Sequence, residues 1–89
     1  MTLTERFINY TKFDTQSSET SSSVPSTEKQ LDFARYLKKE LENEGLSDVE
    51  MDEKGYIYAT LKSNMNRKAP TIGFISHYDT SPDCSGKDI

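Results

Sequence analysis

The 89-residue chain has one cysteine, one histidine, no tryptophan, three prolines and four glycines. A lone Cys84 can neither close an internal disulfide nor supply the thiolates of a Cys-rich zinc finger, which excludes a disulfide-stapled secreted module. Basic residues are outnumbered, eleven Lys and Arg against fifteen Asp and Glu, giving a net charge of −4. They nowhere form a cluster, so nucleic acid and anionic membrane surfaces are not expected partners. No run approaches the ~20 apolar residues of a membrane helix, and Met1 to Arg6 lack the basic and apolar regions of an export signal. The chain therefore reads as soluble and cytoplasmic. Apolar side chains are scarce as well: Leu, Ile, Val and Phe number 17 of 89, near the roughly 20% at which chains tend toward disorder. A chain this short buries only about 60–65% of its surface. The missing core is expected beyond Ile89.

What is present has an order. Thr2 to Phe13 places Leu3, Phe7, Ile8 and Tyr10 on one side at helical spacing, and Thr2 with Glu5 fits a capping box. Nine of the thirteen residues from Thr15 to Thr27 are Ser or Thr, without apolar period, which predicts a solvated loop ending at Val24-Pro25. Thr27 and Gln30 repeat the capping-box spacing ahead of a second helix whose stripe is Leu31, Ala34, Leu37 and Leu41. Gly45 is its expected stop, with Leu46 as the apolar contact that follows. Lys38, Lys39, Glu40 and Glu42 read as its solvated face. Val49 and Met51 then alternate with acids, Asp52-Glu53-Lys54-Gly55 is turn-like, and Tyr56 to Leu61 is β-branched and aromatic, predicting a hairpin. Tyr56 and Tyr58 read as sheet-face residues. Thr71-Ile72-Gly73-Phe74-Ile75 is apolar without alternation, the pattern of a strand covered on both faces inside a mixed sheet. The expected class is α/β, two helices plus a β-hairpin and a buried strand, with residues 1–89 forming an incomplete part of one domain.

Chemistry concentrates where that expected strand runs into polar residues, His77-Tyr78-Asp79-Thr80-Ser81-Pro82-Asp83. In open α/β sheets, sites form at the carboxyl ends of strands. In extended backbone His77 and Asp79 share a face and Tyr78 takes the opposite one. One reading is a metal-ligating imidazole whose tautomer and basicity are set by the carboxylate. The other is a surface histidine beside an aspartate that satisfies loop backbone groups. A Cys84 nucleophile with His77 as base is a rival arrangement, but nothing nearby in sequence would lower the thiol pKa. Asp14 and Thr15 read as residues that close the first helix and bond to local backbone. Gly86-Lys87 lacks the upstream glycines of a phosphate loop.

Ile72-Gly73-Phe74-Ile75-Ser76-His77-Tyr78-Asp79-Thr80-Ser81-Pro82-Asp83 with Ser85-Gly86-Lys87 resembles the peptidase T family of tripeptide aminopeptidases. The resemblance extends upstream, in order, through Glu5-Arg6-Phe7, Asn9-Tyr10, Asp14-Thr15-Gln16-Ser17, Val24 to Glu28, Gly45-Leu46 and Glu53-Lys54-Gly55. It implies the N-terminal part of a zinc-exopeptidase-like catalytic domain that releases the N-terminal residue of tripeptides with two zinc ions. A smaller inserted domain for dimerisation or lid function, and a homodimer, are implied for the full-length protein. By position in the motif His77 would be a zinc ligand, and Asp79 the catalytic-site carboxylate that positions a ligand and tunes the metal. The family's other ligands and its general base have no counterpart before Ile89. Since a hydrolytic zinc needs about three protein ligands and an open position, the chain alone is expected to be inactive. A non-catalytic scaffold of the same descent and a related di-zinc dipeptidase or carboxypeptidase are the alternatives.

Overall fold

The structure is a computed structural model that describes residues 1–87; Asp88 and Ile89, the end of the expected domain, lie outside the described residues. Helix α1 runs Leu3–Thr11. Its capping box forms as the spacing predicts: Glu5 N donates to Thr2 Oγ1 at 3.1 Å and Thr2 N donates to Glu5 Oε2 at 3.2 Å. Two of the otherwise unpaired amides of the first turn are thereby satisfied.

Helix α2 spans Lys29–Asn43 and starts differently from expectation, because its cap residue Glu28 makes no side-chain capping bond. Thr27 Oγ1 instead donates to Gln16 O at 2.9 Å, and Gln30 Nε2 to Thr15 O at 3.1 Å. Both side chains of the expected capping box hold the preceding loop instead. The other end follows prediction. Gly45 takes φ +82°, its N–H reaches Glu42 O at 3.1 Å, and Leu46 N reaches Leu41 O at 3.4 Å, which is a Schellman closure.

Strands β1 (Ser47–Met51) and β2 (Ile57–Thr60) form the expected antiparallel hairpin. Its register shifts by one residue between Ser47 and Glu50, where Asp48 has φ 52°; an aspartate tolerates that left-handed bulge position better than a branched residue. In the connecting turn Asp52 Oδ1 accepts from both Lys54 N and Tyr56 N at 2.9 Å.

The core lies between α2 and its neighbours. Phe33 and Ala34 are buried. Tyr10 and Tyr78 meet Phe33 edge-on, at centroid distances of 5.3 and 5.5 Å, and Phe13 meets it tilted at 5.2 Å. Such rings contribute about 0.5–1.5 kcal/mol per pair beyond their burial. Two expectations change here. Of the apolar side of α1 only Tyr10 enters this cluster, while Leu3, Phe7 and Ile8 are exposed, because α1 meets α2 through the side chains of Arg6 and Tyr10. Glu40 is not part of a solvated face: it pairs with Arg6 and accepts from Tyr10 Oη at 3.1 Å. Burial first, then this carboxylate, push the Tyr10 pKa up to about 12.

The expected buried strand at Thr71 to Ile75 is not formed. Phe74 and Ile75 are 95% and 101% exposed and carry no ladder bonds. The only sheet among the described residues is the β1–β2 hairpin, so the segment has neither a strand to pair with nor a surface to cover it. The α/β class with two helices and a hairpin stands; the strand in a mixed sheet does not.

Candidate active-site segment

Residues 77–82 follow this exposed stretch, and the chain is held from Tyr78 onward. Tyr78 turns inward, against Phe33, and donates from Oη to Gly55 O at 2.8 Å. Gly55 has φ +87°, and a Cβ there would stand 2.7 Å from Tyr78 Oη, so the close approach requires glycine. Burial raises the Tyr78 pKa, helped by the Asp52 and Asp79 carboxylates. The phenol therefore stays a donor at neutral pH.

Two residues later the backbone is pinned again. Thr80 forms a parallel bridge to Gln16, with Thr80 N donating to Thr15 O at 3.1 Å and Ser17 N to Thr80 O at 2.9 Å. Ser17 Oγ also donates to Thr80 O at 2.9 Å, and Gln16 Nε2 to Pro82 O at 2.8 Å. The Asp14–Ser17 loop that makes these bonds is itself fixed to α2. Asp14 accepts from Gln16 N at 3.1 Å and from Lys29 Nζ at 3.0 Å. These two donors, the backbone amide first, lower the Asp14 pKa. Gln30, buried on α2, donates to Thr15 O as described above.

Asp79 lies between the two anchors and His77 just before the first; both face outward, as alternation predicts, and His77 Nδ1 lies 2.8 Å from Asp79 Oδ1. The carboxylate can only accept, so the pair assigns the proton to Nδ1 and leaves the Nε2 lone pair free. The ring is 85% exposed and open on its outer side. An oriented imidazole with a free Nε2 and a carboxylate behind it has the chemistry of one metal ligand with its outer partner. It fits one ligand of a zinc site and no more. Among the described residues no three His, Cys, Asp or Glu side chains gather around a common point, against the three or more that a hydrolytic zinc requires. Cys84 is an exposed free thiol that donates to Ser85 O at 3.7 Å, and no bond joins it to His77.

Of the residues that the sequence singles out, His77 and Asp79 meet each other, Thr15 bonds to the backbone just after them, and Asp14 braces the Thr15 loop through Gln16 N and Lys29. The sequence reading missed Gln16, Ser17 and Gln30. For Gln30 a signal existed: the residue sits on the apolar side of α2, one and two turns before Ala34 and Leu37, where an amide is out of place unless it has a partner.

No family model matches the chain. It is similar to curated proteins named Peptidase T. With that of Clostridium botulinum (strain Hall) it shares 60% identity over 85 residues, which is 96% of this chain and 21% of the relative. With that of Caldanaerobacter subterraneus subsp. tengcongensis it shares 59% over 85 residues, again 96% of this chain and 21% of the relative. The chain thus spans about a fifth of the length of the curated relatives it matches.

Proposed function

Starting from a chain that is related to peptidase T along nearly its whole length, we propose that it is the N-terminal part of the catalytic domain of a zinc-dependent tripeptide aminopeptidase. The observation that carries the reading is the outward-facing His77–Asp79 pair, whose carboxylate sits between the anchored Tyr78 and Thr80.

In this reading His77 supplies one ligand nitrogen, Nε2, and Asp79 holds the Nδ1 proton and with it the ring's tautomer and aim. A bound zinc pair supplies a polarised carbonyl and an activated water at neutral pH. The remaining ligands and the general base come from outside this chain, and the chain alone is inactive. Peptides of three residues with a free α-amino group are the substrate class, and homodimerisation belongs to the full-length protein. A cytoplasmic setting agrees with an exposed thiol at Cys84 that has no disulfide partner.

The test is the release of N-terminal residues from tripeptides by a polypeptide that carries this chain at the length of its relatives. Activity should require zinc and disappear with His77→Gln. Asp79→Asn should lower kcat/KM by about 10–100-fold, the usual cost of losing a ligand's outer partner. Full activity of His77→Gln would overturn the assignment. Activity of the 89-residue chain alone would overturn the claim that it holds only part of a site.

A further inference from the structure

The loop after α1 does more than connect two helices. Thr15 O accepts from two donors, Gln30 Nε2 at 3.1 Å on the α2 side and Thr80 N at 3.1 Å on the other. Gln16 reaches past the bridge to Pro82 O at 2.8 Å, and Ser17 closes it at Thr80 O. From the side chain of a buried glutamine to the backbone next to Asp79 the path is therefore two hydrogen bonds through one carbonyl.

Gln30 is costly as a purely structural residue. It is 4% exposed, on a chain whose apolar content is already low, and a buried amide stabilises less than an apolar side chain of the same volume. Nor is it spent on the helix start, where cap residue Glu28 makes no side-chain bond. What it does hold is the carbonyl that receives Thr80.

From this we infer that Gln30 and Gln16 are positioning residues: through the Thr15–Ser17 segment they fix the backbone at Thr80 to Pro82 and so aim the Asp79 carboxylate at His77 Nδ1. The inference rests on the proposed role of the His77–Asp79 pair, and it can be tested without metal or substrate. If Asp79 is held in place by its backbone, the Nδ1–H tautomer of His77 is favoured. If the backbone drifts, the solvent-exposed carboxylate finds Nδ1 only part of the time and the Nε2–H form gains.

The readout is the Nδ1–H to Nε2–H tautomer ratio of the single histidine, measured by long-range ¹⁵N–¹H NMR at fixed pH on the 89-residue chain. Gln30→Met keeps the volume of the side chain and removes the donor; Gln16→Ala removes the outer donor at a half-buried position. Each should lower the ratio roughly two- to ten-fold, the factor that corresponds to one net hydrogen bond. Leu37→Ala, about two turns beyond Gln30 in the same helix, is the control for general loosening and should leave the ratio within the wild-type range. An unchanged ratio in both glutamine variants overturns the inference, and so does an equal shift in Leu37→Ala. A wild-type ratio no higher than that of a free histidine peptide overturns it too. None of these results depends on whether the longer polypeptide is a zinc peptidase, so the two readings fail separately.

Discussion

Phe33 and Phe74 are the same side chain in two regions of one molecule. The first is 4% exposed, ringed by Tyr10, Phe13, Tyr36 and Tyr78; the second is 95% exposed, next to a fully exposed Ile75. Local apolarity does not explain the contrast, because Phe74 sits in the more hydrophobic stretch. Partners do. Phe33 lies on a helix whose neighbours arrive from α1, from the loop after it and from the Tyr78 segment, whereas residues 71–75 meet no strand and no helix among the described residues. An apolar run becomes a buried strand only when a sheet exists to receive it.

The largest expected effect attacks the buried member of that pair. Phe33→Ala should cost about 3–5 kcal/mol and abolish cooperative unfolding of the chain, whereas Phe74→Ala should change stability by less than about 0.5 kcal/mol. Urea denaturation of the two variants side by side checks this. Equal losses would mean that Phe74 is packed in solution.

A smaller effect is expected at the joint between the regions. Gly55→Ala places a Cβ 2.7 Å from Tyr78 Oη on a backbone with φ +87°. Left-handed strain and the lost hydrogen bond together should cost about 2 kcal/mol. Loss of the Tyr78–Phe33 contact in NMR, with the β1–β2 hairpin intact, would sharpen the comparison by showing that the segment docks separately.

Alkali should reach the helical region first. The folded Tyr10 pKa is raised to about 12 from 10.0, so the neutral phenol stabilises the fold fully below pH 10 and that contribution is lost as pH rises toward 12. Tyr10→Phe should flatten the decline of stability between pH 10 and 12. A decline of unchanged steepness would place its cause elsewhere. The opposite sign holds at Asp14, whose pKa is lowered: its contribution is present above 3.8 and fades as pH falls below that value. Asp14→Asn should reduce stability at neutral pH and narrow the gap to wild type in acid.

The smallest effect on stability is the easiest to see by another method. Residues 61 to 77 are all exposed, so limited proteolysis should cut there before it cuts α2, with little change in the unfolding transition of the larger product. First cuts within α2 would reverse the order of the two regions.

Much of this organisation was legible in residue spacing. Thr2 with Glu5, the stripe along α2 and Gly45-Leu46 foretold the helices and their ends, because capping and 3.6-residue periodicity act over a few residues. Asp52 to Gly55 foretold the turn for the same reason. Period-two alternation placed His77 and Asp79 on one face and Tyr78 on the other. What did not show was which of several apolar faces would find a partner. Leu3, Phe7 and Ile8 have the spacing of a core face and lie in solvent, while Phe33, outside the stripe read from the sequence, became the centre of the aromatic cluster.

The candidate site divides along the same line. The sequence by itself determined the types of group and their local geometry: an imidazole two residues from a carboxylate, in extended backbone, after an apolar run. Tertiary structure alone decided that this pair would be held. Its anchors, Gly55, Thr15, Gln16 and Ser17, bond across separations of 23 to 66 residues along the chain, and Gln30 turned from an expected cap into the donor behind them. Short-range order follows from backbone stereochemistry that each residue carries with it. Contacts between distant segments depend on the shape of the whole chain, because the entropy of closing such loops is recovered only when many contacts form together.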